Sequence, residues 1–417
     1  MPRTCARLAT VQRLEDLDLP AFDHTDPELN GPTWHTRITE LASRNWLATT
    51  PLATVVLERE ACEKILRSKS AIFPGREVAD LFGIDSGPLR EEIDRNIINI
   101  NGSEHQRLRS LIAPHFSPRA AETHRDRVAG IFEPLLARAV DARETEAVEA
   151  LCKPYASQAI SYLVGGTPED AELLHDWSLW VQRQFDPIAL ANDRATLEEK
   201  ADELQQWVAR LMSEKSRSPG NDLTSSLLEI EESGDRLNQS EVQNLIIDVI
   251  LGGIDTTQSQ LAHAIRLLGE SPEQLRELAA APADLAAAAV EESLRYEPVT
   301  PFTARLLKED LELSEVLFPA GTLLLVCSFI GNRDPNAFSR PNQFDLENDT
   351  DSARRILTFG AGIHYCLGAN LARVELEEAL RSIAETVERI ELLPGAAFGN
   401  VSGIYSMDRL PMRLHPR

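Results

Sequence analysis

The chain is short of basic residues, with 42 Lys and Arg against 66 Asp and Glu and a formal net charge of -24. A general nucleic-acid binder needs a basic face, so that class is excluded. The acidity favours solubility and carries little information about fold. Long apolar runs are also missing. The longest candidates, 245–254 and 323–330, fall well short of the ~18 residues that span a bilayer. No membrane segment is therefore expected. The start, Met-Pro-Arg-Thr-Cys, lacks a basic stretch followed by an apolar core, so no secretory signal is expected either. Cysteine is sparse and widely spaced (Cys5, Cys62, Cys152, Cys327, Cys366), which argues against a disulfide framework and matches a reducing compartment. No internal repeat is found. A cytoplasmic protein is the expectation.

The hydrophobic pattern reads as mainly α with a minor β-sheet region. Residues 1–35, holding Pro20, Pro27 and Pro32, read as an irregular lead-in. Residues 46–50 and 53–57 are rich in β-formers and read as a short hairpin, followed by a helix over 61–67. From Ile72 to Asn101, prolines, glycines and mixed charge predict a long loop, a kind of segment that is often functional. Helical periodicity dominates from His105 to Gly269, with a break near Pro187 after Trp177, Trp180 and Phe185. Within it, Ser240 and Gln243 have the spacing of a capping box, opening a helix about 40 Å long that Gly269 stops. The Ala-rich run 278–290 reads as helical turns broken at Pro282. After Tyr296 the text turns β-like at 310–313 and 321–327, and 401–415 reads as a last hairpin.

Chemistry concentrates near the C-terminus in Phe359-Gly360-Ala361-Gly362-Ile363-His364-Tyr365-Cys366-Leu367-Gly368. The glycines let the backbone turn tightly and approach a flat ligand. A helix predicted from Ala369 aims its free N–H groups and positive dipole end at the sulfur, which lowers a thiol pKa. Nearby N–H groups also tune how strongly a thiolate donates to a metal. A lone Cys-x-Gly would say little, because a buried cysteine is usually a small hydrophobe. Both upstream glycines, the Phe and the His make the pattern specific.

This run resembles the haem-binding loop of the cytochrome P450 family, and the resemblance covers nearly the whole chain. It implies one domain over 1–417 with the P450 fold, haem b lying between the long central helix and the cysteine-loop helix, and Cys366 as axial thiolate. Phe359, Gly360, His364 and Gly368 would belong to the haem cradle. The family's soluble bacterial members are haem-thiolate monooxygenases. They insert one O2-derived oxygen into a hydrophobic small molecule, with electrons from a ferredoxin and an NAD(P)H-dependent ferredoxin reductase.

Other residues match in order. Gly252-Gly253-Ile254-Asp255-Thr256 lies within the long helix. Mid-helix glycines cost about 1 kcal/mol each relative to Ala. They make sense where a ligand or another helix must come close, and both readings are open. The segment resembles the family's oxygen-activation motif, which implies that Asp255 and Thr256 carry protons and that Gly252 faces haem. Thr256 can also bond back to an earlier carbonyl. His105 and Arg109, four apart on one helical face, together with Arg305 and His364, match propionate contacts; each alone is equally a solvated base. Glu292 and Arg295, three apart and followed by Tyr296-Glu-Pro298, match the family's structural Glu-x-x-Arg pair.

The family usually adds an arginine from a Phe-Asp-x-x-Arg segment. Here Phe344-Asp345-Leu346-Glu347-Asn348 places Asn348 in that position, so Arg354 or Arg355 is the candidate replacement, and weaker haem retention is expected if neither serves. By position in the family pattern, Phe82, Leu251, Thr300, Phe302 and Ile404 would line the pocket, as would Phe73, Leu81, Ile84 and Tyr405; each is equally a core residue. Asp248 precedes Gly252 by one turn at a place usually apolar. It either meets a polar group of the substrate or pairs with another helix. Arg107, Arg119, Arg373 and the Arg354-Arg355 pair would form a basic patch suited to an acidic electron carrier. Two rivals remain: a haem-thiolate enzyme that runs on peroxide, against which the retained Asp255-Thr256 argues, and a haem-based sensor, which would usually carry an output domain.

Overall fold

The computed structural model describes residues 11–232, 237–348 and 356–417. Its architecture is mainly helical with small sheets. The helix Gln239–Glu270 runs through the middle and packs against Lys153–Val164, Ala171–Gln182, Arg194–Arg217, Leu223–Glu232 and Ala369–Thr386. A helix surrounded on all sides has no solvated face. Between Asn244 and Leu268 every residue is buried except Asp248, Gly252, Gly253 and Thr256. Asp248, Gly252 and Thr256 fall four residues apart and form one strip, which meets open space at Gly252, whereas Gly253 turns toward a neighbouring helix.

The cap of this helix lies two residues before the expected one. Asn238 accepts from the Glu241 N–H at 3.0 Å, and the Glu241 carboxylate accepts from the Asn238 N–H at 2.9 Å. Ser240 and Gln243 share the spacing but lie inside the first turn. The expected long loop over 72–101 contains two short helices, Gly75–Leu81 and Pro88–Arg95, and a 3-10 turn, Ile97–Asn99. Gly75 and Pro88 open these helices, and proline at a first helical position forfeits only an N–H that has no intrahelical partner.

The main sheet has five strands in the order Leu47–Thr49, Thr54–Val56, Leu323–Cys327, Phe302–Leu307 and Ala71–Ile72. The first two form the expected hairpin, with Thr49 opposite Thr54. The lead-in is less irregular than expected: Gln12–Arg13 pairs in parallel with Val316–Phe318, and a helix begins at Gly31. The C-terminal hairpin expected over 401–415 is not formed. Met407–Arg409 pairs with Ala397–Phe398, whereas Pro411–Pro416 lies between Val387–Leu392 and Glu144–Glu146. Pro187 opens a short helix, Pro187–Asn192, between two longer ones. Pro282 likewise opens Pro282–Tyr296.

Candidate active site

The cysteine loop is held from two directions. On one side, the Thr358 hydroxyl donates to Leu294 O at 2.6 Å, and the Leu357 N–H donates to the Asn332 side chain at 2.7 Å. Within the loop, the Cys366 N–H closes onto Phe359 O at 2.9 Å, and Gly360 and Gly362 adopt φ of +68° and +74°. A side chain at Gly362 would sit 2.4 Å from Leu66 O, so the loop passes directly against the helix Arg59–Arg67 and its end. Cys366 is half-buried and free, three residues before the helix Ala369–Thr386 opens. Burial pushes its thiol above the ordinary value, while the Gly368 and Ala369 N–H groups, Arg109 and Arg373 pull the other way. The lowering expected from the helix start is thus present but is outweighed by desolvation.

Behind the loop lies a fully paired network. Arg295 is 0% exposed, and all five of its N–H donors are used. Two reach Glu292 at 2.7 and 2.8 Å, and three reach the carbonyls of Asn332, Pro341 and Gln343 at 3.0, 2.8 and 2.7 Å. Asn348 is itself part of this network. Its amide donates to Glu292 at 3.1 Å and to Arg340 O at 3.0 Å, while its oxygen accepts from Ser339 and the Arg340 N–H. Among the described residues no second positive charge joins the Glu292–Arg295 pair. Arg354 and Arg355 lie outside the described residues.

On the other side, the basic residues converge without acids. The His105 and His364 rings lie 4.7 Å apart, and His364 shares a 3.2 Å hydrogen bond with Asn101, the residue that precedes the His105 helix. Arg109 donates to Tyr365 O in the loop. Arg305, in the sheet, is buried with its Nε unpartnered, and both His105 ring nitrogens are unpartnered as well. Burial holds Arg305 down to about 10. It also lowers His105, with Arg109 adding to the effect. Burial with repulsion from Arg305, His105 and Arg109 takes His364 to about 3. Buried cations without counter-charges are costly, so this set is complementary to an anionic group that brings the missing charge.

The two helix glycines have different surroundings. A side chain at Gly253 would meet Ile160 Cδ1 at 2.4 Å, which is close helix packing. At Gly252 nothing lies within 4 Å. Thr256 Oγ1 donates back to Gly252 O at 2.6 Å. Asp255 is buried beside the strip, and burial with repulsion from Asp408 lifts its carboxyl to about 6. An unfilled glycine floor, a free thiol and unpaired cations together fit the haem that the resemblance implies.

The expected pocket residues scatter. Phe82 is partly buried against the main core, and Leu251 is buried within it. Phe302 packs on Trp34, with ring centres 5.4 Å apart. Thr300 and Ile404 are half-buried, Ile84 is buried and Tyr405 is a buried core residue whose hydroxyl accepts from Gly31 N–H. Leu81 is 79% exposed and lines nothing. Phe73 meets Phe185 edge-on at 5.5 Å. Asp248 accepts from the Ile97 N–H at 3.1 Å and has Glu92 beside it, a neighbour that no spacing in the sequence announces. The basic patch is thinner than expected, because Arg107 pairs with Glu241 and Arg373 with Glu291. Arg119 is exposed on a helix that packs against Ala369–Thr386.

Comparison with known proteins accords with this geometry. The cytochrome P450 family model matches residues 283–388. Luteothin monooxygenase of Streptomyces thioluteus is 30% identical over 401 residues, 95% of this chain and 96% of that protein. Cytochrome P450 monooxygenase PikC of Streptomyces venezuelae is 33% identical over 305 residues, 72% of this chain and 71% of that protein. The crystal structure of CalO2 superposes with a TM-score of 0.87 at 27% identity, covering 95% of this chain and 100% of CalO2. P450BioI, captured with a fatty-acyl-loaded acyl carrier protein, gives 0.82 at 26%, over 91% of this chain and 98% of that one. Among the described residues no helix is long and apolar enough to cross a membrane. The chain therefore belongs to the cytochrome P450 family, the haem-thiolate monooxygenases.

Proposed function

We propose that Cys366 would supply the thiolate that holds haem, that His105, Arg109, Arg305 and His364 would hold its propionates, and that Gly252 would leave it room beside the central helix. Phe359, Gly360 and Gly368 shape the cradle. The observation that carries this reading is the strip Asp248, Gly252 and Thr256, open at Gly252 in a helix otherwise buried or packed from 244 to 268.

Bound haem supplies O2 activation at iron. The protein's own work is placement and proton traffic. Asp255 is lifted to about 6, so it can hold and release a proton near neutrality. Thr256, tied to Gly252 O, presents its hydroxyl oxygen on the open strip as a hydrogen-bond acceptor. In balance, R–H, O2, two electrons and two protons become R–OH and water. The electrons would come singly from a ferredoxin and its NAD(P)H-dependent reductase, with docking near Arg119. The substrate would be a hydrophobic small molecule, taken up by a single-domain enzyme in the cytoplasm. No nucleic acid and no membrane enter the reaction.

The test is a reconstitution with surrogate ferredoxin and reductase. NADPH consumption should yield oxidised product, and the ferrous carbonyl should absorb as a thiolate complex does. A carbonyl band typical of histidine ligation would overturn the assignment.

A further inference from the structure

One end of the open strip is polar in a way that oxygen chemistry does not use. Asp248 keeps one carboxylate oxygen, Oδ1, buried and unpartnered, and its other oxygen accepts only the Ile97 N–H. Glu92, from the helix Pro88–Arg95, stands beside it and is 1% exposed. Its Oε1 accepts from Asn96 at 2.9 Å, and its Oε2 is unpartnered. Gln184, from the 3-10 turn Arg183–Phe185, faces Glu92 and is 4% exposed, with neither amide atom in a hydrogen bond of proper length. Three elements thus bring two carboxyls and an amide together. The groups that act on the two carboxyls are each other, the Ile97 N–H, Asn96 and Gln184; no cation is among them.

Unsatisfied buried carboxyl oxygens are expensive, and two side by side are worse. Burial and mutual repulsion raise Asp248 well above the usual carboxylate range, and burial raises Glu92. An entering cation with N–H donors would relieve both penalties at once. The unpartnered atoms, mostly acceptors, match donors and not acceptors.

We propose that the Asp248 end of the strip recognises the ammonium group of an elongated apolar amine, held among Asp248, Glu92 and Gln184. The inference rests on the reading that the strip faces the substrate, and it names the class of that substrate. Eight residues separate Asp248 from Thr256, about 12 Å along a helix. The nitrogen is therefore anchored far from the oxygen-handling residues, and the apolar body spans the interval.

The experiment is calorimetric titration of the holoenzyme with N,N-dimethyldecylamine, 1-decanol and decanoate. The amine should bind about 10- to 100-fold more tightly than the alcohol, with decanoate weakest. Amine binding should release roughly one proton, read from buffers of different ionisation enthalpy, and alcohol binding none. Asp248→Asn and Glu92→Gln should remove the preference while leaving decanol affinity unchanged. Equal affinity for amine and alcohol in the unaltered protein overturns the inference without any variant, as does a preference that survives both substitutions. The ferrous carbonyl band of the same preparations reports the thiolate separately. A normal band without amine preference rejects the amine and keeps the haem assignment; a histidine-type band with the preference does the reverse.

Discussion

Two sets of buried polar side chains differ in how completely they are paired. Behind the loop, Glu292, Arg295 and Asn348 satisfy one another and the nearby carbonyls down to the last donor of the guanidinium. Elsewhere, His105, Arg305, Asp248, Glu92 and Gln184 each leave buried polar atoms unpartnered. A closed network can only hold a shape. An open one is complementary to something that is not protein. The distinction separates scaffold from site more sharply than burial does, since members of both sets are among the most buried residues in the chain.

The strongest way to break the comparison is at the sulfur. Cys366→Ser should abolish turnover and the thiolate-type ferrous carbonyl band, while circular dichroism stays close to that of the unaltered protein. Retained turnover would end the assignment. Next comes Asp255→Asn, expected to lower kcat about 10²- to 10⁴-fold if the carboxyl carries protons. The same change should raise stability. The folded-state pKa of about 6 lies above the ordinary 3.8, so ionisation of Asp255 weakens the fold as pH rises through that window. The gain should reach up to roughly 3 kcal/mol at pH 8 and vanish near pH 3, read by denaturant titration. Equal stability at both pH values would remove the proton-holding role.

A third measurement addresses the closed set. Arg295→Leu breaks a fully buried pair and should cost about 3–5 kcal/mol, seen as a lower midpoint in urea. A loss under 1 kcal/mol would mean that the pairing behind the loop is dispensable. The smallest effects separate the two glycines. Gly253→Ala forces a contact with Ile160 and should destabilise by about 1–3 kcal/mol. Gly252→Ala meets nothing, so the haem-free protein should gain up to about 1 kcal/mol of helix stability. The haem-loaded protein should lose its cofactor faster. Glycines that behaved alike in both forms would dissolve the contrast.

Much of this was legible in local spacing. The cysteine run, the Glu292–Arg295 pair and the glycine pair all lie within one or two turns of chain, where i+3 and i+4 relations suffice. The misreadings share a different cause. Gly75 and Pro88 look like breakers but open helices too short to show a period. Ser240 and Gln243 match a cap that Asn238 and Glu241 form instead, because both pairs have the same spacing. The segment 411–416 reads as half a hairpin, yet its partners begin at Val387 and Glu144. Asn348 puts an amide where the family carries a charge, and spacing does not say what that amide meets. Whether an amide can reach Glu292 depends on how the chain from Pro341 to Asn348 wraps around the arginine.

The residues alone determined the family, the ligating sulfur's surroundings and the long helix, because each is written in contacts between near neighbours. Only tertiary structure decided which glycine faces space, which arginine stands without an acid, and that Glu92 meets both Gln184 and Asp248. The Glu92 contacts join positions 92 and 156 residues apart, and the penalty for an unpaired buried group exists only once folding has removed the water.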